Sequence, residues 1–92
     1  MNRTPKGLLA GPKFNTSHST VIPQAEAVVR LLAASPHVQK IVLGPIHQAR
    51  GGAVRVKTIR IPVGLRVAVS GGTGVQWFFV HTDDPAAVEA IL

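Results

Sequence analysis

AVRVKTIRI, residues 53–61, is the stretch on which the reading of the fold turns. Val54 and Val56 alternate with Arg55 and Lys57, the period of two that marks a half-buried strand. The phase then slips, because Ile59 and Ile61 are apolar and Arg60 is polar. A β-bulge near Thr58 would absorb the slip and keep every basic side chain on the outward face. On that reading the sheet has one face against a core and one open, positively charged face.

The flanking segments extend the same pattern. Downstream, Pro62-Val63-Gly64 connects tightly into LRVAV (65–69), with Arg66 opposite Leu65, Val67 and Val69. SGGTG (70–74) turns the chain into VQWFFVH (75–81), apolar on both faces and therefore predicted to lie centrally in the sheet. At least two of Trp77, Phe78 and Phe79 are expected in the core. Upstream, HVQKIVL (37–43) reads as a strand ended by Gly44-Pro45, and GPIHQARGG (44–52) as a long basic loop.

Two helices complete the domain. The first begins near Thr20–Pro23, with Pro23 in the first turn and Ser19 or Thr20 as its cap, and stops before Pro36. Ala25, Val28, Leu32 and Ser35 share its inner face with Leu31 beside them, and Glu26 with Arg30 supports its outer one. Asp84 caps a short final helix with Pro85 at its first position and Val88, Ile91 and Leu92 turned to the core. Residues 1–19 form a basic arm with Pro5, Gly7, Gly11 and Pro12, in which only GLLA has the makings of a short edge strand. The expected fold class is α+β: an arm over 1–19, then one domain over 20–92 in the order α-β-β-β-β-α. Its mostly antiparallel four-stranded sheet carries helices on one face.

Charge sets the class of partner. Ten Lys and Arg face four acids in 92 residues, a net charge of +6. No acid lies between Glu26 and Asp83, a span that holds Arg30, Lys40, Arg50, Arg55, Lys57, Arg60 and Arg66. That imbalance attracts phosphate backbones. The expected function is that of a non-enzymatic RNA-binding protein, with rRNA or the ribosome as partner. Arg3, Lys6, Lys13, His18, His47, Arg50, Arg55, Lys57, Arg60 and Arg66 are its nucleic-acid-binding residues. An acidic protein partner is the other reading of the same charge.

Known RNA-binding signatures are missing. An RRM needs two exposed aromatics on a central strand, which the core demand on residues 77–79 leaves no room for. A double-stranded-RNA-binding domain has a basic second helix, and here that helix carries Glu89 with no Lys or Arg. Gly71-Gly72-Thr73-Gly74 spells GxxG, but it joins strand to strand, so it reads as a hairpin turn and not a KH or phosphate loop.

Other chemistry has less support. With no cysteine, disulfides, thiolate zinc sites and thiol catalysis are excluded. Ser17 and Ser19 flank His18, but sequence neighbours seldom face each other as nucleophile and base, and one acid alone precedes residue 83. No enzyme and no cofactor are expected. His81-Thr82-Asp83 is the one close pair of metal-ligating residues, and His18 across the sheet end would complete a set of three. Asp83 and Asp84 have a plainer role at a helix N-terminus. Leu8-Leu9-Ala10 is too short for a signal-peptide core and no membrane partner is expected, so the expected location is cytoplasmic.

Several stretches also resemble a small uncharacterised prokaryotic family, common in cyanobacteria, over residues 17–92. The residues that carry it are His18-Ser19-Thr20 of HSTVIP, IVLGPI with its Gly44-Pro45 turn, and Val75-Gln76 with Phe79-Val80 of GVQWFFV. The family opens with an HSTH-type motif, and some archaeal relatives are labelled predicted metal-binding proteins. Where that motif has a second histidine this chain has Val21. The resemblance thus marks His18 as a special position while removing the His-x-x-His pair that would hold a metal.

Overall fold

The computed structural model describes residues 21–48, 52–72 and 74–92, with the backbone of 14 and 15. The elements are β1 (Phe14–Asn15), α1 (Pro23–Ala34), β2 (Lys40–Gln48), β3 (Arg55–Ile61), β4 (Gly64–Gly71), β5 (Gly74–His81) and α2 (Pro85–Ala90). Strands β2 to β5 form an antiparallel sheet with the two helices, an α+β fold. Two-residue β1 joins it parallel to β2, in the order β1-β2-β5-β4-β3. This fifth strand falls at Phe14–Asn15, inside the segment read as an arm, whereas GLLA lies outside the described residues.

The core follows from alternation. Ile41 and Leu43 of β2, Leu65, Val67 and Val69 of β4, and Phe78 and Val80 of β5 are buried on one face. Ala25, Val29 and Leu32 of α1 and Val88 of α2 cover it, all in one cluster. Helix α1 presents these residues at the three- and four-residue spacing of a single stripe. Its N-cap residue is Ile22, which has no side-chain cap bond, and Pro23 opens the helix. Ser19 and Thr20, expected to cap, lie outside the described residues. Asp84 does cap α2, accepting from the Ala87 N–H at 3.1 Å. Ile91 and Leu92, expected in the core, are exposed, because α2 ends at Ala90 and only Val88 reaches inward.

One buried polar residue ties three elements together. Gln76, on β5, is fully buried; its Oε1 accepts from the Ile22 N–H at 3.0 Å, and its Nε2 donates to the Gly44 carbonyl at 2.9 Å. The first bond supplies an acceptor where α1 starts, and the second serves a bulge in β2. The bulge falls between Leu43, opposite Phe78, and Ile46, opposite Gln76. Gly44-Pro45 therefore does not end the strand as expected. Proline lacks the N–H a regular ladder needs and is accommodated where the ladder is already broken. A Cβ on Gly44 would stand 2.7 Å from the Trp77 carbonyl oxygen, so only glycine lets β2 and β5 approach here. As a result β2 continues to Gln48, and His47 belongs to the sheet and not to a loop.

The expected bulge at Thr58 is absent. Strand β3 pairs with β4 without interruption from Arg55 opposite Ser70 to Ile61 opposite Gly64. Val56, Thr58 and Arg60 therefore point to the helical side, and Arg55, Lys57, Ile59 and Ile61 share the other face. Arg60 turns toward α2, where Glu89 meets it. An edge strand can place a charge on the helical side when the helix supplies a partner, so no slip was needed to keep Arg60 out of the core.

Candidate functional site

The face of the sheet away from the helices is uncovered among the described residues, and its side chains can be placed by register. Across β2, β5, β4 and β3, one row reads His47, Val75, Ser70, Arg55. The next reads Trp77, Ala68, Lys57, beside the β2 bulge. Below it lie Val42, Phe79, Arg66, Ile59, and then Lys40, His81, Gly64, Ile61. No acid occurs on any of these four strands.

The aromatic content of this face corrects the expectation from sequence. Of Trp77, Phe78 and Phe79 only Phe78 is core; Trp77 is 38% and Phe79 37% exposed. An apolar central strand reads as covered on both sides. Here one layer of helices covers one side, so every second residue of β5 must face outward. The pattern was visible: Gln76, Phe78 and Val80 alternate with Val75, Trp77 and Phe79, in phase with Arg66 on β4.

The aromatic and basic groups are organised together. The Arg66 guanidinium lies over the Trp77 ring, 4.3 Å from its centroid, and the His47 ring is tilted against the same indole at 6.2 Å. The cation–π contact is worth about 0.5–1 kcal/mol in an exposed setting and holds Arg66 flat against the sheet. Beside the pair is a hollow of about 390 Å³ lined by Lys57, Ile59, Arg66, Ala68, Ser70, Val75 and Trp77. Small Ala68 and Ser70 on β4 form its floor between larger side chains on β5 and β3.

The structure brings together Arg55, Lys57, Arg66 and His47 on this face. It separates Arg60, which points to the helical side. There Arg60 Nη2 donates to Glu89 Oε1 at 2.8 Å and Nε donates to Oε2 at 3.2 Å. Those hydrogen bonds, and then the opposite charge, hold the Glu89 carboxyl below its ordinary range and raise Arg60 in turn. Arg3, Lys6, Lys13, His18 and Arg50 lie outside the described residues. The glycine hairpin is a strand-to-strand turn, as expected: Gly71 pairs with Gly74, and Gly72 takes the left-handed φ of 58° that such tight hairpins require. Gln24 Nε2 donates to the Gly71 carbonyl, tying α1 to this turn.

His81 and Asp83 sit near the opposite end of β5 from His47. Asp83 Oδ2 accepts from Gln39 Nε2 at 2.8 Å, and Thr82 Oγ1 donates to the His37 carbonyl while accepting from the Asp84 N–H. Among the described residues no three His, Asp or Glu side chains come together in a group that would hold a metal ion. Nor does any buried side-chain nitrogen or oxygen there lack a partner. The described residues alone therefore do not fit a metal centre. Among them no helix is long and apolar enough to cross a membrane.

Comparison with known proteins gives a family. Residues 10–91 match the family described as predicted metal-binding protein (DUF2103), and the chain belongs to it. No curated protein and no solved structure matches the chain.

Proposed function

We propose that this member of a predicted metal-binding family is a small RNA-binding protein that meets its ligand with the open face of the sheet. The observation that carries the reading is the acid-free face on which Arg55, Lys57 and Arg66 surround exposed Trp77 and Phe79. Basic groups alone grip phosphates without regard to base. Aromatic surface among them adds sites on which bases stack, and the combination is how sheet-based modules hold RNA. Arg3, Lys6, Lys13, His18 and Arg50 add basic or hydrogen-bonding groups from the N-terminal segment and the β2–β3 connection. The partner of this reading is rRNA or the ribosome, and no catalytic step is assigned. Capture from a lysate before and after nuclease treatment tests it. RNA and ribosomal particles recovered without nuclease and lost with it support the reading; a protein partner that survives nuclease contradicts it.

The family description favours a second reading, metal binding through His18, His81 and Asp83. Metal analysis of protein purified without a histidine tag decides it. One equivalent per chain, with a melting temperature that falls on chelation, supports this reading. Substoichiometric metal and no effect of chelator dismiss it.

A further inference from the structure

The geometry points to a seat for one unpaired nucleobase in the hollow on the open face, which makes single-stranded nucleic acid the ligand. This inference rests on the RNA-binding reading and narrows it. The seat exists because β4 carries two adjacent small outward residues, Ala68 and Ser70, between larger side chains on both neighbours. Register places Ala68 between Trp77 and Lys57, and Ser70 between Val75 and Arg55. Strands are spaced about 4.8 Å apart, so the walls on β5 and β3 stand roughly 10 Å apart. That width takes a flat heterocycle entering edge-on, and 390 Å³ exceeds the volume of one base, leaving room for part of its sugar.

The chemistry of the lining suits a base with an attached phosphate. Ile59 gives apolar surface on one wall, and on the other Trp77 carries the Arg66 guanidinium stacked over its ring. A base entering the hollow therefore meets the indole edge and the flat cation laid on it. The Ser70 hydroxyl on the floor and the two cations are donors for ring nitrogens and carbonyls of a base. Lys57, with Arg55 on the next row, stands where the flanking phosphates leave the hollow. No carboxylate lines it, so an anionic ligand meets no repulsion. A base already paired and stacked in a duplex has neither its faces nor its Watson–Crick edge free and cannot leave the stack to enter. Duplex is therefore held by phosphate contacts alone, and single strands by those contacts plus the seat.

Trp77 is the one tryptophan of the chain and forms a wall of the seat, so its emission reports occupancy directly. The experiment titrates the whole protein at low salt with a single-stranded RNA 12-mer, the DNA strand of the same sequence and an RNA duplex of matched composition. Single strands are expected to quench Trp77 and to bind about tenfold or more tighter than duplex, the order expected of one stacked base. The RNA and DNA arms distinguish the two sources of an unpaired base. Ala68→Leu fills the floor and removes that preference while leaving the salt dependence as it was. Ser70→Leu, also on the open face, serves as a second filler should the first fail to melt like the parent. Equal affinity and equal quenching by single strand and duplex, or fillers that bind single strands as the parent does, overturn the base seat while RNA binding stands. No binding of any of the three ligands at low salt overturns both.

Discussion

Replacing Gln76 by leucine should remove a large share of the stability of this domain without touching the open face. Gln76 is fully buried, and its amide serves two backbone groups, the Ile22 N–H and the Gly44 carbonyl. Leucine is close in volume but serves neither. Each buried backbone group left without a partner costs about 1–3 kcal/mol. Against a total of about 2–6 kcal/mol, leucine regains on the order of 1–2 kcal/mol from its added apolar burial. From the middle of each range the net loss is about 2–3 kcal/mol, to be set against a total stability of roughly 5–14 kcal/mol for a chain of this length. Urea unfolding followed by circular dichroism measures it: the midpoint should fall by more than about 1 M with the slope unchanged. Gln39→Leu is the control, since the Gln39 amide makes an exposed bond to Asp83, and its effect should stay within about 0.5 kcal/mol. A loss below about 1 kcal/mol for Gln76→Leu would refute the reasoning. It would mean that Ile22 and Gly44 find other partners and that the bulge is not held from β5.

Three further outcomes follow from the same geometry. Gly44→Ala places a methyl 2.7 Å from the Trp77 carbonyl oxygen; the resulting strain should cost about 1–3 kcal/mol and be read in the same unfolding assay. Glu89→Gln should lower the melting temperature slightly at neutral pH. Because Arg60 depresses the Glu89 carboxyl in the folded state, the pair's contribution is present above the unfolded-state value and lost as pH falls through the folded one. The parent and variant melting curves should therefore converge as pH falls through the depressed folded-state range of Glu89, and converge likewise in high salt. Arg66→Gln should leave stability nearly unchanged while altering Trp77 emission, since it removes the cation lying over that ring.

Much of the architecture was legible because alternation and turn chemistry agree. Residues 65–69 announce their inner face, Pro23 and Pro36 bracket α1, and Asp84-Pro85 opens α2. What misled was each point where one side chain had to be weighed against its neighbours in space. Arg60 read as a reason for a bulge because its partner, Glu89, is 29 positions away in sequence. Gly44-Pro45 read as a stop because the carbonyl acceptor role of Gly44 toward Gln76 is not a local signal. The basic half of the site, Arg55, Lys57 and Arg66, was visible as charge on alternating positions. The aromatic half is legible only by reading β5 in phase with Arg66 on β4, because the exposure of Trp77 and Phe79 among the described residues depends on how many layers cover the sheet, which no single strand encodes.

The measurement that tests the open-face account most directly is the salt dependence of RNA binding for the parent and for the variant Arg55→Gln, Lys57→Gln, Arg66→Gln. All three substitutions lie on exposed or half-buried positions of the sheet face, so the fold should be kept. Each lost phosphate contact lowers the slope of log affinity against log salt by about 0.7 for a single strand, so the variant should lose about 2 from the parent slope. Its affinity at low salt should fall accordingly. A variant with the parent's slope and affinity would contradict the account, because the ligand would then be held somewhere other than this face.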